Sequence, residues 1–111
     1  MPLFGRKKVE SMVVELQPAF SVMGPGDKVR VMVKVKGEGE EVSLSANSAE
    51  GEGLPEGIKV EFMPSAGKPP LTSVMEVSVS DGVKPATYSF LVVAATPKKE
   101  VPAAFVVVVR K

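Results

Sequence analysis

The stretch from Gly53 to Thr96 sets the strongest limit on what this chain can become. Three apolar runs of period two lie within it: Ile58, Val60 and Phe62, then Met75, Val77 and Val79, then Tyr88, Phe90, Val92 and Ala94. Turn-forming residues separate them: the Leu54-Pro55 step ahead of the first, Pro64, Pro69 and Pro70 after it, and Asp81-Gly82 ahead of the third. Alternation of this kind buries one side of a strand and wets the other, a pattern no helix of 3.6-residue period can use. Prolines and glycines between such runs give short strands folded back on one another.

The rest of the chain keeps the same rhythm. Residues 1–8, MPLFGRKK, read as a flexible lead, and residues 9–111 as a single domain. From Val9 to Phe20, VESMVVELQPAF places Met12, Val14 and Leu16 on one face of a strand that breaks or bends at Pro18. Proline cannot donate to a strand ladder and belongs on an edge. Phe20 and Val22 are expected to continue the alternation past the bend. After the turn Gly24-Pro25-Gly26-Asp27, the run from Lys28 to Lys36 points Val29, Val31, Val33 and Val35 inward and Arg30, Met32, Lys34 and Lys36 outward. The outward cations read as a solvated face that also discourages edge-to-edge pairing. From Glu41 to Asn47 the inward set is Val42, Leu44 and Ala46. TPKKE, Thr96 to Glu100, is a hairpin turn before the last strand, Val101 to Arg110. About seven strands in about 100 residues, with turn signals every 8 to 12, predict an all-β fold: a single antiparallel Greek-key sandwich.

A Leu-Pro-x-Gly turn, an x-Val-x-Phe strand, the PSAGKPP loop, the TSVMEVSVS strand and the VKPATYSFLVV strand follow one another here. Together they resemble the immunoglobulin-like domains of archaeal and bacterial proteins, of the kind appended to larger surface proteins and glycosidases. That resemblance implies an immunoglobulin-like sandwich, and it makes an accessory or ligand-binding domain of a surface protein or glycoside-processing enzyme the alternative functional reading. It also implies a role for Tyr88, three residues after Pro85 at the start of a strand. That place resembles the tyrosine corner of Greek-key sandwiches, where the hydroxyl bonds a nearby backbone group.

Composition removes most chemistries. The chain has no His, no Cys and no Trp. It therefore offers no zinc-type site, no disulfide and no Ser-His or Cys-His nucleophile pair. The glycine-rich segments GEGEE and EGEGLPEG are acidic and precede no helix, so they do not suit phosphate. Glu38, Glu40, Glu41, Glu50, Glu52 and Glu56 would suit a calcium ion only if their loops converged, and no EF-hand spacing is present. Sugar sites lean on aromatic platforms, and a single Tyr with five Phe, three of them at core positions, supplies none. The expectation is no enzyme, no cofactor, no metal and no small-molecule ligand.

Fourteen Lys and Arg against thirteen Asp and Glu leave a net charge of +1, which gives no electrostatic footprint for nucleic acid. The longest wholly apolar run, from Val101 to Val109, falls well short of the ~20 residues a membrane helix needs. MPLFGRKK has no apolar stretch after its basic residues, so a cytoplasmic protein is expected, or an extracellular one if the chain is a fragment of a longer exported protein. One Asn, one Gln and no Cys match the scarcity of thermolabile residues in thermophilic proteins, although six Met run the other way.

The last two strands break the pattern. Beside the inward set, Leu91, Val93 and Ala95 occupy the second face of one, and Ala104, Val106 and Val108 that of the other. Strands apolar on both faces are expected where both are covered. The reading this supports is a non-catalytic interaction module that docks a protein partner, or a second copy as a homodimer, through that outer face. The chain's own Leu3 and Phe4 are a third candidate cover.

Overall fold

The computed structural model describes residues 12–37, 39–48 and 53–110, and the expected N-terminal lead lies outside them. In chain order the strands are β1 (Val13–Gln17), β2 (Phe20–Met23), β3 (Lys28–Lys36), β4 (Val42–Asn47), β5 (Ile58–Met63), β6 (Ala66–Gly67), β7 (Leu71–Val79), β8 (Ala86–Ala95) and β9 (Glu100–Val109). They form two sheets, one in the order β1-β3-β7-β5 and the other β2-β9-β8-β4-β6. No helix occurs among the described residues.

From β3 onward the alternating runs bury the side their sequence marks as apolar. In the first sheet Val31, Val33 and Val35 of β3 stand beside Met75, Ser73 and Leu71 of β7, and Val77 and Val79 beside Val60 and Ile58 of β5. The second sheet meets them with Val42 and Leu44 of β4, Phe90, Val92 and Ala94 of β8, and Phe105, Val107 and Val109 of β9. Phe90 and Phe105 are cross-strand partners, their rings tilted at 42° with centroids 5.5 Å apart. Full burial of such side chains stabilises by about 1.5–3 kcal/mol each, so this layer supplies most of the drive to fold. Val60 packs against the core but is only partly buried, because β5 has a neighbour on one side alone.

Two places depart from the expected strand plan. At Pro18 the first strand does not merely bend: β1 pairs with β3, while β2 crosses to the other sheet and runs parallel to β9. The alternation is reset by that crossing. Met12, Val14 and Leu16 face the core before it, whereas Met23 is buried after it and Phe20 and Val22 point out. On the opposite side of the sandwich the chain crosses sheets again at Pro64, from β5 to the two-residue β6 beside β4. Ser73 holds that crossing: it is buried, and its hydroxyl donates to the Pro64 carbonyl at 2.6 Å. Both prolines lack the N–H that would continue a ladder, so pairing stops where they stand. The two crossings raise the expected seven strands to nine among the described residues.

Candidate functional site: the outer face of the β2-β9-β8-β4 sheet

The two outer faces of the sandwich differ in kind. On the β1-β3-β7-β5 sheet the outward residues include Glu15, Lys28, Arg30, Lys34, Lys36, Lys59, Glu61 and Glu76. Ion pairs link Lys36 to Glu15 at 3.2 Å and Arg30 to Glu76 at 3.7 Å. A row of Met32, Val74 and Met63 crosses these charges, exposed but flanked by them. On the other sheet, strands β2, β9, β8 and β4 turn outward Phe20 and Val22; Pro102, Ala104, Val106 and Val108; Thr87, Ser89, Leu91, Val93 and Ala95; and Ser43, Ser45 and Asn47. The one charged residue in this outward set is Glu100, at the end of β9.

The register fixes how these side chains meet. Leu91 lies between Ala104 of β9 and Asn47 of β4, and Val93 between Pro102 and Ser45. Val106 lies between Ser89 and Phe20, and Val108 between Thr87 and Val22. Ala95 closes the row beside Ser43 and Glu100. The apolar residues therefore step diagonally across the sheet, from Val93 on β8 through Ala104 and Val106 to Phe20 and Val22 on β2. Leu91, Val93, Ala95, Val106 and Val108 are half-buried by one another, and Ala104 is exposed. Phe20, 59% exposed, and Val22, 51% exposed, are its most open large hydrophobic members. Sequence reasoning missed these two. The signal that would have found them is Pro18, since a change of sheet inverts which parity faces the core.

The other candidates resolve into structure. The Tyr88 hydroxyl donates to the Lys84 carbonyl at 2.7 Å and pins the connection between β7 and β8. Of the acidic residues, Glu40 and Glu41 sit by Thr96 and Pro97 at one end of the sheet, and Glu40 lies 3.9 Å from Lys98. Glu56 sits near Tyr88 at the other end, about 25 Å away along β8 at ~3.3 Å per residue. Glu38, Glu50 and Glu52 lie outside the described residues. Among the described residues, no group of three or more potential ligands could hold a metal ion. An open concavity of about 510 Å³ over the first sheet is lined by Asp27, Lys28, Lys59, Glu61, Glu76 and Asp81, a mixture of both charge signs with no aromatic platform.

Comparison with solved structures settles the architecture. A glycoside hydrolase of family 123 from Clostridium perfringens contains a region similar to 91% of this chain, with a TM-score of 0.61 and 12% identity. The match spans only 28% of that enzyme. The titin M3 domain matches over 90% of this chain and 97% of its own length, with a TM-score of 0.52 and 12% identity. The BIgI domain of the beta protein from S. agalactiae, solved bound to CEACAM1, matches over 91% and 98%, with a TM-score of 0.54 and 12% identity. The fold is immunoglobulin-like. No protein-family model matches the sequence, and no curated protein sequence is similar to it. At 12% identity these likenesses show the fold.

Proposed function

We propose that this immunoglobulin-like domain is a non-catalytic interaction module that docks a protein through the outer face of β8 and β9, extended by β2. The observation that carries this reading is the segregation of charge. One outer face bears eight ionisable side chains, and the other bears a diagonal of aliphatic and aromatic residues with small polar neighbours. An apolar centre with a polar rim is the anatomy of a protein interface. Soluble monomers rarely leave such a surface open to water. That the S. agalactiae domain of the same fold was solved with a protein bound supports the same reading.

Site-specific cross-linking tests it. A photoreactive residue at Val106 should join the domain to another polypeptide, and the product should be lost when Val93 is replaced by Lys. The same residue at Lys34, on the charged sheet, should give no product. Equal products from both positions would overturn the reading.

An accessory role in a glycoside-processing enzyme is the second reading. The specific observation in its favour is that nine-tenths of this chain matches a part of a family 123 glycoside hydrolase. It predicts that the domain, joined to a catalytic neighbour, changes that enzyme's stability or substrate capture, which a deletion series would measure.

A further inference from the structure

We infer that the occupant of the β2-β9-β8-β4 face is a second copy of this chain, packed face to face about a two-fold axis. The inference rests on the docking role proposed above and adds the identity of the partner. Chemistry narrows the choice first. A partner that brought charged groups onto the middle of this face would have to desolvate them with little to pair against, because among the described residues the charges lie at its margins: Glu100, Arg110 just past Val108 and Glu41 just before Ser43. The partner surface must therefore be flat, apolar and uncharged. This face itself meets that description, whereas the opposite sheet of the same domain does not.

Shape narrows it further. β4 ends at Asn47, level with Leu91, so the level of Ser89 and Thr87 has no β4 neighbour. β2 begins at Phe20, level with Val106, so the level of Ala104 and Pro102 has no β2 neighbour. At the levels that carry outward side chains the face is a slanted block three strands wide, with β6 a fourth beside Ser43. An in-plane two-fold axis through its middle carries β2 of each copy over a corner of the other that has no strand of this sheet. Phe20 and Val22, the most exposed large hydrophobic side chains of the face, are the ones that this two-fold would bring to those corners. In the middle, Val106, Ala104 and Leu91 would interdigitate as two sheets do at ~10 Å separation.

Area sets the strength. At ~4.8 Å between strands and ~3.3 Å per residue, the face measures about 15 Å by 30 Å. Two such footprints stay below the ~1,200 Å² that separates stable from transient contacts. An interface of this size falls among weak, transient contacts, so the dimer is expected to be reversible.

Sedimentation and light scattering of the intact chain from about 1 μM to about 1 mM test this directly, since mass action must move the measured mass across that range. The expected result is a rise from monomer to dimer mass. Val106→Lys should push the midpoint at least about tenfold higher, because each dimer would bury two ammonium groups. Val22→Lys, at a more open position, gives the same readout if the first variant folds poorly. Phe20→Ala should weaken the dimer without changing the monomer's melting curve, and Lys34→Glu on the other sheet should change nothing. A monomer at every concentration overturns the second-copy inference, and so does a dimer indifferent to Phe20, Val22 and Val106. If the chain stays monomeric while a photoreactive Val106 still joins a different polypeptide, the docking role stands and the second copy falls. If neither occurs, both fall.

Discussion

Tyr88 shows how much one side chain can settle locally. Its hydroxyl reaches back four residues to the Lys84 carbonyl, so it fixes the path into β8 before the sheet begins. Tyr88→Phe removes that bond while leaving the ring in place, and should lower the unfolding free energy by about 0.5–1.5 kcal/mol. Chemical denaturation reads this as an earlier midpoint, and an unchanged midpoint would show that the bond is not a pin. Gly57 constrains the neighbouring connection from the other side. Its φ of +87° lies in the left-handed region, and an added Cβ would strike the Val83 side chain and come within 2.9 Å of the Ser80 hydroxyl. Its carbonyl also accepts the Ser80 N–H at 2.9 Å, so the backbone cannot simply swing away. Gly57→Ala should therefore cost more than about 1 kcal/mol, measured as a lower melting temperature. Tyr88 was legible as a corner from its place after Pro85. The need for glycine at 57 was not, since a Leu-Pro-Glu-Gly turn does not reveal what packs above it.

Among elements, the strands whose neighbours lie on both sides were the easiest to read. β3 and β7 alternate cleanly, because a strand with a neighbour on each side and one face in the core leaves each residue a single choice. β6 was invisible: two residues in a proline-rich loop carry no period, and they pair only because the crossing at Pro64 brings them beside β4. β2 was read with the wrong continuity. Four residues after a proline give too short a run to fix their own phase, and the phase comes instead from docking beside β9. A pair of substitutions checks that phase. Met23→Ala removes a buried side chain and should cost about 2–5 kcal/mol, whereas Val22→Ala, next to it but facing out, should stay within about 0.5 kcal/mol. Equal costs at the two positions would place β2 in the opposite register. The same phase decides the interface, because the outward members Phe20 and Val22 widen the apolar diagonal beyond the six residues that β8 and β9 supplied from sequence alone.

At the scale of the whole molecule, the sandwich has one charged outer face and one that is nearly uncharged, and salt distinguishes which of them would mediate association. Contacts made through the charged sheet would rest on Lys28, Arg30, Lys34 and Lys59 meeting carboxylates, and exposed ion pairs are screened as the Debye length shrinks from ~10 Å at 0.1 M salt to ~3 Å at 1 M. Contacts made through the β2-β9-β8-β4 face have almost no charge to screen. Apolar burial holds or strengthens in salts excluded from the surface, such as sulfate. Self-association measured by sedimentation should thus change by less than about twofold between 0.1 M and 1 M sodium chloride. Sodium sulfate should tighten it. The monomer's own stability should move little with sodium chloride, because its ion pairs are exposed ones of the kind that contribute least. A loss of association of tenfold or more in sodium chloride would assign the contact to the charged sheet and leave the apolar diagonal without its proposed role.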